Sequence, residues 1–143
     1  MPKPKITYRK IKKYKYQLMR KGYTCQISIR KKSIKTDFIQ LTTKGKLTIK
    51  RGYAWDGPSG PTIDTKTFMR GSLVHDALYQ LMRLKHLDYT KHRRQADDLL
   101  KRHCLQDGMF RVRAWYVHKF VCWLGEANAI PPEKPKDELM FAP

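Results

Sequence analysis

Polar and apolar residues alternate along much of the first third of the chain. Tyr23, Cys25, Ile27 and Ile29 are separated by polar neighbours, the period-two pattern of a half-buried strand. The stretch from Ile34 to Leu41 repeats it. Thr42 to Gly45 then reads as a hairpin turn into Lys46–Lys50, with Leu47 and Ile49 on one face, and Tyr53 to Trp55 is placed to extend the same sheet. The first twenty residues interleave Lys and Arg with Ile6, Tyr8, Ile11, Tyr14 and Tyr16, which suits an extended arm or an edge strand.

Gly57-Pro-Ser-Gly-Pro61 ends this pattern, because two prolines and two glycines in five residues exclude a helix or a central strand. Beyond it the period changes to that of a helix. Leu73, Val74, Ala77, Leu78, Leu81 and Met82 predict a helix from Thr67 to Leu84. A second runs from about Asp88 to Gln106, with Ala96, Leu99, Leu100, His103 and Cys104 as its inner stripe and Gly108 as its stop. Phe110 to Ala127 is apolar almost all round, which predicts a central helix with Trp115, Tyr116 and Trp123 in the core. The tail from Pro131 reads as irregular. The fold class is therefore α+β: a small basic antiparallel sheet followed by three helices. With 143 residues the chain suits a single domain, divided into a β-rich part (1–50), a Gly/Pro loop (51–66), a helical core (67–130) and the tail (131–143).

Charge sharpens this picture. The chain carries 31 Lys and Arg against 12 acids, net +19, and residues 1–50 hold 16 of the cations and a single acid, Asp37. A field this lopsided attracts polyanions, either anionic membrane lipid or nucleic acid. Lys10, Lys12, Lys13, Lys15, Arg20, Lys21, Lys31 and Lys32 are the candidate contacts. The longest uncharged apolar run, Phe120 to Gly125, is too short to cross a bilayer, and the N-terminus lacks the apolar stretch of a signal peptide. These features point to a protein made in a cytoplasm and soluble or surface-bound. Cys25, Cys104 and Cys122 share no C-x-x-C spacing, so neither a disulfide framework nor a Cys-based zinc site is readable, and buried, inert thiols are expected.

The candidate chemistry lies in Val74-His-Asp-Ala-Leu-Tyr79 and Gln95-Ala-Asp-Asp-Leu-Leu100. Residues three and four apart share a helix face, so His75, Asp76 and Tyr79 are neighbours. A short turn would lay the second helix antiparallel and bring Asp97 within reach of the imidazole. A carboxylate so placed orients a histidine and raises its basicity, preparing a general base. Asp76 remains as a hard oxygen ligand, and the Gly/Pro loop can add carbonyl oxygens, a donor set that suits calcium. Other classes drop out. His75 is the first histidine in the chain, so an earlier metal-binding histidine is lacking, and no H-E-x-x-H, Gly-x-Ser-x-Gly, P-loop or dinucleotide fingerprint occurs. His86, His92, His103 and His118 read as surface or core residues.

The order of an Asp-Gly-Pro-Ser loop, His-Asp-Ala-Leu-Tyr and Ala-Asp resembles a domain family of phages and prophages that has no assigned activity, over roughly residues 50 to 127. More distantly it resembles the phospholipase A2 core, in the short disulfide-free form carried by parvovirus capsid proteins. That resemblance implies a phage-encoded, phospholipase A2-like hydrolase. His75 would be the base that activates water, with Tyr79 and Asp97 supporting it. Calcium would sit near Asp76, with Asp56, Gly57, Ser59 and Gly60 as loop ligands, and the protein would reside in the host cytoplasm or the virion. Two features depart from the enzyme: Pro58 and Pro61 stand where its calcium loop is flexible, and the basic sheet has no counterpart. The alternative is a non-enzymatic phage protein that retains the fold and binds nucleic acid, a host factor or a virion component.

Overall fold

Seven short strands and three helices form in the computed structural model, which describes residues 6–12, 15–29, 32–56 and 66–129. The ambiguous N-terminus is a hairpin. β1 (Tyr8–Lys12) pairs antiparallel with β2 (Lys15–Leu18), and β2 pairs antiparallel with β7 (Ala54–Asp56). The apolar alternation of β2 turns Tyr16 and Leu18 inward, where Tyr8, Tyr16 and Trp55 pack ring against ring with centroids 5.6–6.1 Å apart.

β3 (Tyr23–Gln26), β4 (Ile34–Lys35), β5 (Ile39–Leu41) and β6 (Lys46–Ile49) make a second antiparallel sheet in the order β3-β6-β5-β4. The expected β5–β6 turn is present. Gly45 has φ +86°, and a Cβ there would fall on the Ile27 carbonyl oxygen, so only glycine fits.

Three expectations need correction. Two small sheets replace the single one, because the chain turns at residues 50–53 and Tyr53–Trp55 joins β2 rather than the β6 sheet. The stretch from Ile34 to Leu41 is two strands, split where the Thr36 hydroxyl accepts the Ile39 amide at 3.0 Å and closes a local turn. The third correction concerns which helix is central. α1 (Lys66–Arg83) is buried on most of its surface, against the sheets on one side and α2 (Tyr89–Gln106) on the other. α3 (Arg111–Ala129) lies outside, packing on α2 and α1 through Ala114, Val117 and Val121, and Trp115, Tyr116 and Trp123 face solvent. Small residues make its contact face, so the large aromatics, which its mean hydropathy placed inside, are turned out. Among the described residues no helix is long and apolar enough to cross a membrane.

Helices α1 and α2 run antiparallel across the short turn at residues 84–88. The Asp88 side chain caps α2 by accepting the Thr90 amide at 2.9 Å. At the far end Arg70 of α1, itself buried, donates to both carboxylate oxygens of Asp107 (2.9 and 3.1 Å), to Gln106 (2.9 Å) and to the Tyr23 hydroxyl (3.0 Å). This clamp fixes the register of α1 on α2 and ties both to β3. Next to this clamp the helices touch at Gly71, where a Cβ would lie 2.8 Å from Leu100 Cδ1.

Candidate functional site

The register set by the turn and the Arg70 clamp brings residues 75 and 79 of α1 opposite residue 97 of α2. His75 Nε2 lies 2.7 Å from Asp97 Oδ1, and the Tyr79 hydroxyl donates to the same oxygen at 2.5 Å. The two rings stack at 4.1 Å between centroids, as their spacing of four on one helix allows. Asp97 is wholly buried, whereas the His75 side chain keeps 13% of its surface exposed. With Nε2–H given to the carboxylate, the imidazole leaves Nδ1 as its basic nitrogen.

The electrostatics follow from this geometry. Burial alone would raise the Asp97 pKa, but hydrogen bonds from His75 and Tyr79 outweigh it and hold the carboxyl below its ordinary value. Burial and the Asp97 carboxylate together push the Tyr79 hydroxyl far up, so it remains a donor at any working pH.

The surroundings include groups that the sequence patterns did not single out. Arg93, one turn before Asp97, places Nη1 4.0 Å from Asp97 Oδ2 and donates to the Cys122 carbonyl of α3 at 3.1 Å. The Cys122 thiol sits near enough to Asp97 that burial and that carboxylate both raise its pKa. His118, one turn before Cys122, meets Asp98 at 2.7 Å, and Cys122 Sγ lies 3.6 Å from the same ring nitrogen. The i, i+4 spacings of Arg93 with Asp97 and of His118 with Cys122 were the available signal. What they lacked was the rotation of α3, which decides that Cys122 turns toward Asp97.

The cysteines split between two environments. Cys104 is buried, and burial pushes its thiol up to about 12; Cys25 and Cys122 are half-buried, contrary to the expectation of full burial, and both are raised. All three are poor nucleophiles at neutral pH. His86 is exposed, His92 is half-buried against Gln95 at 2.7 Å, and His103 is buried.

Of the expected calcium ligands, Asp76 is half-buried on α1 and the backbone of Asp56 ends β7; Gly57, Ser59 and Gly60 lie outside the described residues, as does the Asp56 side chain. Among the described residues no three His, Cys, Asp or Glu side chains form a group that could hold a metal ion. Of the expected polyanion contacts, Lys10, Lys15, Arg20, Lys21 and Lys32 are exposed, Lys12 is in β1 with its side chain outside the description, and Lys13 and Lys31 fall outside it altogether. No protein-family model matches the chain, and neither a curated protein nor a solved structure matches it.

Proposed function

We propose that the protein is a phage-encoded, phospholipase A2-like hydrolase that cleaves a lipid ester, with His75 as its general base. The supporting observation is the His75–Asp97–Tyr79 network: a partly exposed imidazole held at 2.7 Å by a fully buried carboxylate that a tyrosine also holds in place. In the reaction, His75 Nδ1 takes a proton from water while the water oxygen bonds to the ester carbonyl carbon. The tetrahedral adduct collapses, the bond from carbon to the alcohol oxygen breaks, and the imidazolium returns its proton to that oxygen. Asp97 stabilises the transient imidazolium, and Tyr79 keeps Asp97 in position. Asp76 and residues 56–60 would hold a calcium ion, which would polarise the ester carbonyl.

The test is turnover of a soluble short-chain phospholipid, with calcium and with chelator. His75→Asn should lower the rate by about 10²–10⁴-fold, the usual contribution of a positioned base. Absence of any ester turnover in the parent with calcium, or full activity in His75→Asn, would remove the hydrolase reading. The second reading is a non-enzymatic virion or host-factor-binding protein that grips nucleic acid. It is favoured by the exposed cations Lys10, Lys15, Arg20, Lys21 and Lys32 in a stretch, residues 1–50, that holds one acid.

A further inference from the structure

We propose that the outer face of α3 docks on an anionic phospholipid bilayer. Val112, Trp115, Tyr116, Phe120 and Trp123 recur at the spacing that puts residues on one side of a helix, at about 100° per residue. All five are exposed, Trp123 by 79%, Val112 by 70% and Tyr116 by 64%. The opposite side, Ala114, Val117 and Val121, is packed with Leu100, Cys104 and Phe68, so the helix is held with its aromatic stripe outward. A contiguous apolar patch of this kind on a soluble surface marks a contact site.

The charges beside the stripe select the occupant. Lys119 lies within it, its Nζ 5.7 Å from the centre of the Trp115 ring, and Arg111 and Arg113 border it on either side. No Asp or Glu occurs between Gly108 and Gly125. Trp and Tyr favour the boundary between headgroups and acyl chains, and Lys and Arg lay their stems along apolar surface while their charges reach the phosphates. Aromatic stripe and cations together describe a helix lying in the plane of an anionic membrane. A second copy of the chain would bring +19 against +19. A convex helix face carrying Val112 and Phe120 also lacks the groove that tracks a nucleic-acid strand.

The inference rests on the lipid-directed reading of function, and its test reads binding instead of turnover. The full chain is mixed with phosphatidylcholine vesicles, with and without phosphatidylglycerol, and tryptophan emission and co-sedimentation are followed. Trp55 is buried and serves as a constant background. The expected result is a blue shift on anionic vesicles and quenching by brominated acyl chains. In the Trp115→Ala/Trp123→Ala variant, affinity should fall at least about tenfold, the equivalent of about 1.4 kcal/mol. Quenching in the parent needs no variant, so a folding defect in the double mutant leaves the test decisive. Anionic binding without a blue shift or quenching would overturn the proposal. So would equal affinity in the double mutant, or protection of these tryptophans by DNA or by self-association instead of lipid. His75→Asn should bind vesicles like the parent. Stripe-dependent binding without ester turnover would therefore remove the hydrolase and keep the docking face, and turnover of soluble ester without such binding would do the reverse.

Discussion

Asp97 accepts two hydrogen bonds on one oxygen in a place that excludes water, so its charge state decides how His75 and Tyr79 are held. Its folded-state pKa is lowered, so the carboxylate favours folding above the ordinary aspartate value of about 3.9, and that contribution is lost as pH falls through the lower folded-state value. At neutral pH Asp97→Asn removes the charge from a buried double acceptor and should destabilise the fold by about 1–3 kcal/mol. As pH falls from about 4 through the lower folded-state value, the parent's carboxylate takes up a proton, and the gap should close. Urea unfolding of both proteins at neutral and at acid pH measures it; a gap independent of pH would mean that Asp97 is not the ionised acceptor. His75, Tyr79 and Asp97 were legible in the sequence because two lie one turn apart and a short turn dictates the antiparallel partner. Arg93 and Cys122 were not, since their place at the site depends on a third helix whose orientation its own pattern does not decide.

Helix–helix contact in this protein depends on where small residues fall. Gly71 lets α1 approach α2 until a Cβ would sit 2.8 Å from Leu100 Cδ1, 3.2 Å from Cys104 Sγ and 3.3 Å from the Leu100 carbonyl oxygen. In Gly71→Ala the gain in helix propensity, about 1 kcal/mol, opposes an overpacking cost of about 1–3 kcal/mol. The Leu100 methyl can rotate away, but the carbonyl belongs to the helix backbone. The cost therefore prevails: a net loss of about 1 kcal/mol is expected in thermal or urea unfolding. An equal or higher stability would show that the two helices can separate at this point. The same logic explains why α3 was misplaced by its hydropathy. Ala114 and Val117 are small enough to seat a helix closely, whereas Trp115, Tyr116 and Trp123 occupy the far side. Mean hydropathy along a helix reports how apolar it is, and only the distribution of side-chain size around it reports which face is packed. By contrast α1, bounded by the Gly/Pro loop and a short turn, carries its apolar residues on two faces and meets layers on both.

At the scale of the whole molecule the decisive quantity is charge. Residues 1–50 hold sixteen cations with one acid, Asp37, and even the full complement of twelve acids could not pair all of them. Several acids of the helical part are already committed within it: Asp97 to His75 and Tyr79, Asp107 to Arg70, Asp98 to His118. Lys10, Lys15, Arg20 and Lys21 are exposed on or beside the β1–β2 hairpin, and the interactions of such cations with a polyanion are screened by salt and accompanied by counterion release. Replacing these four by Gln should weaken binding to anionic vesicles and to DNA, and should flatten the salt dependence. For DNA the slope of log K against log salt should fall by roughly 0.9 for each phosphate contact removed. Turnover of a soluble ester and the melting temperature should stay as in the parent, because exposed surface cations contribute little to stability. Salt titrations of the parent and the quadruple variant on both polyanions read this directly. If both proteins bound equally tightly at physiological salt, the basic half would not be a polyanion surface, and its excess charge would have to meet an acidic protein partner instead.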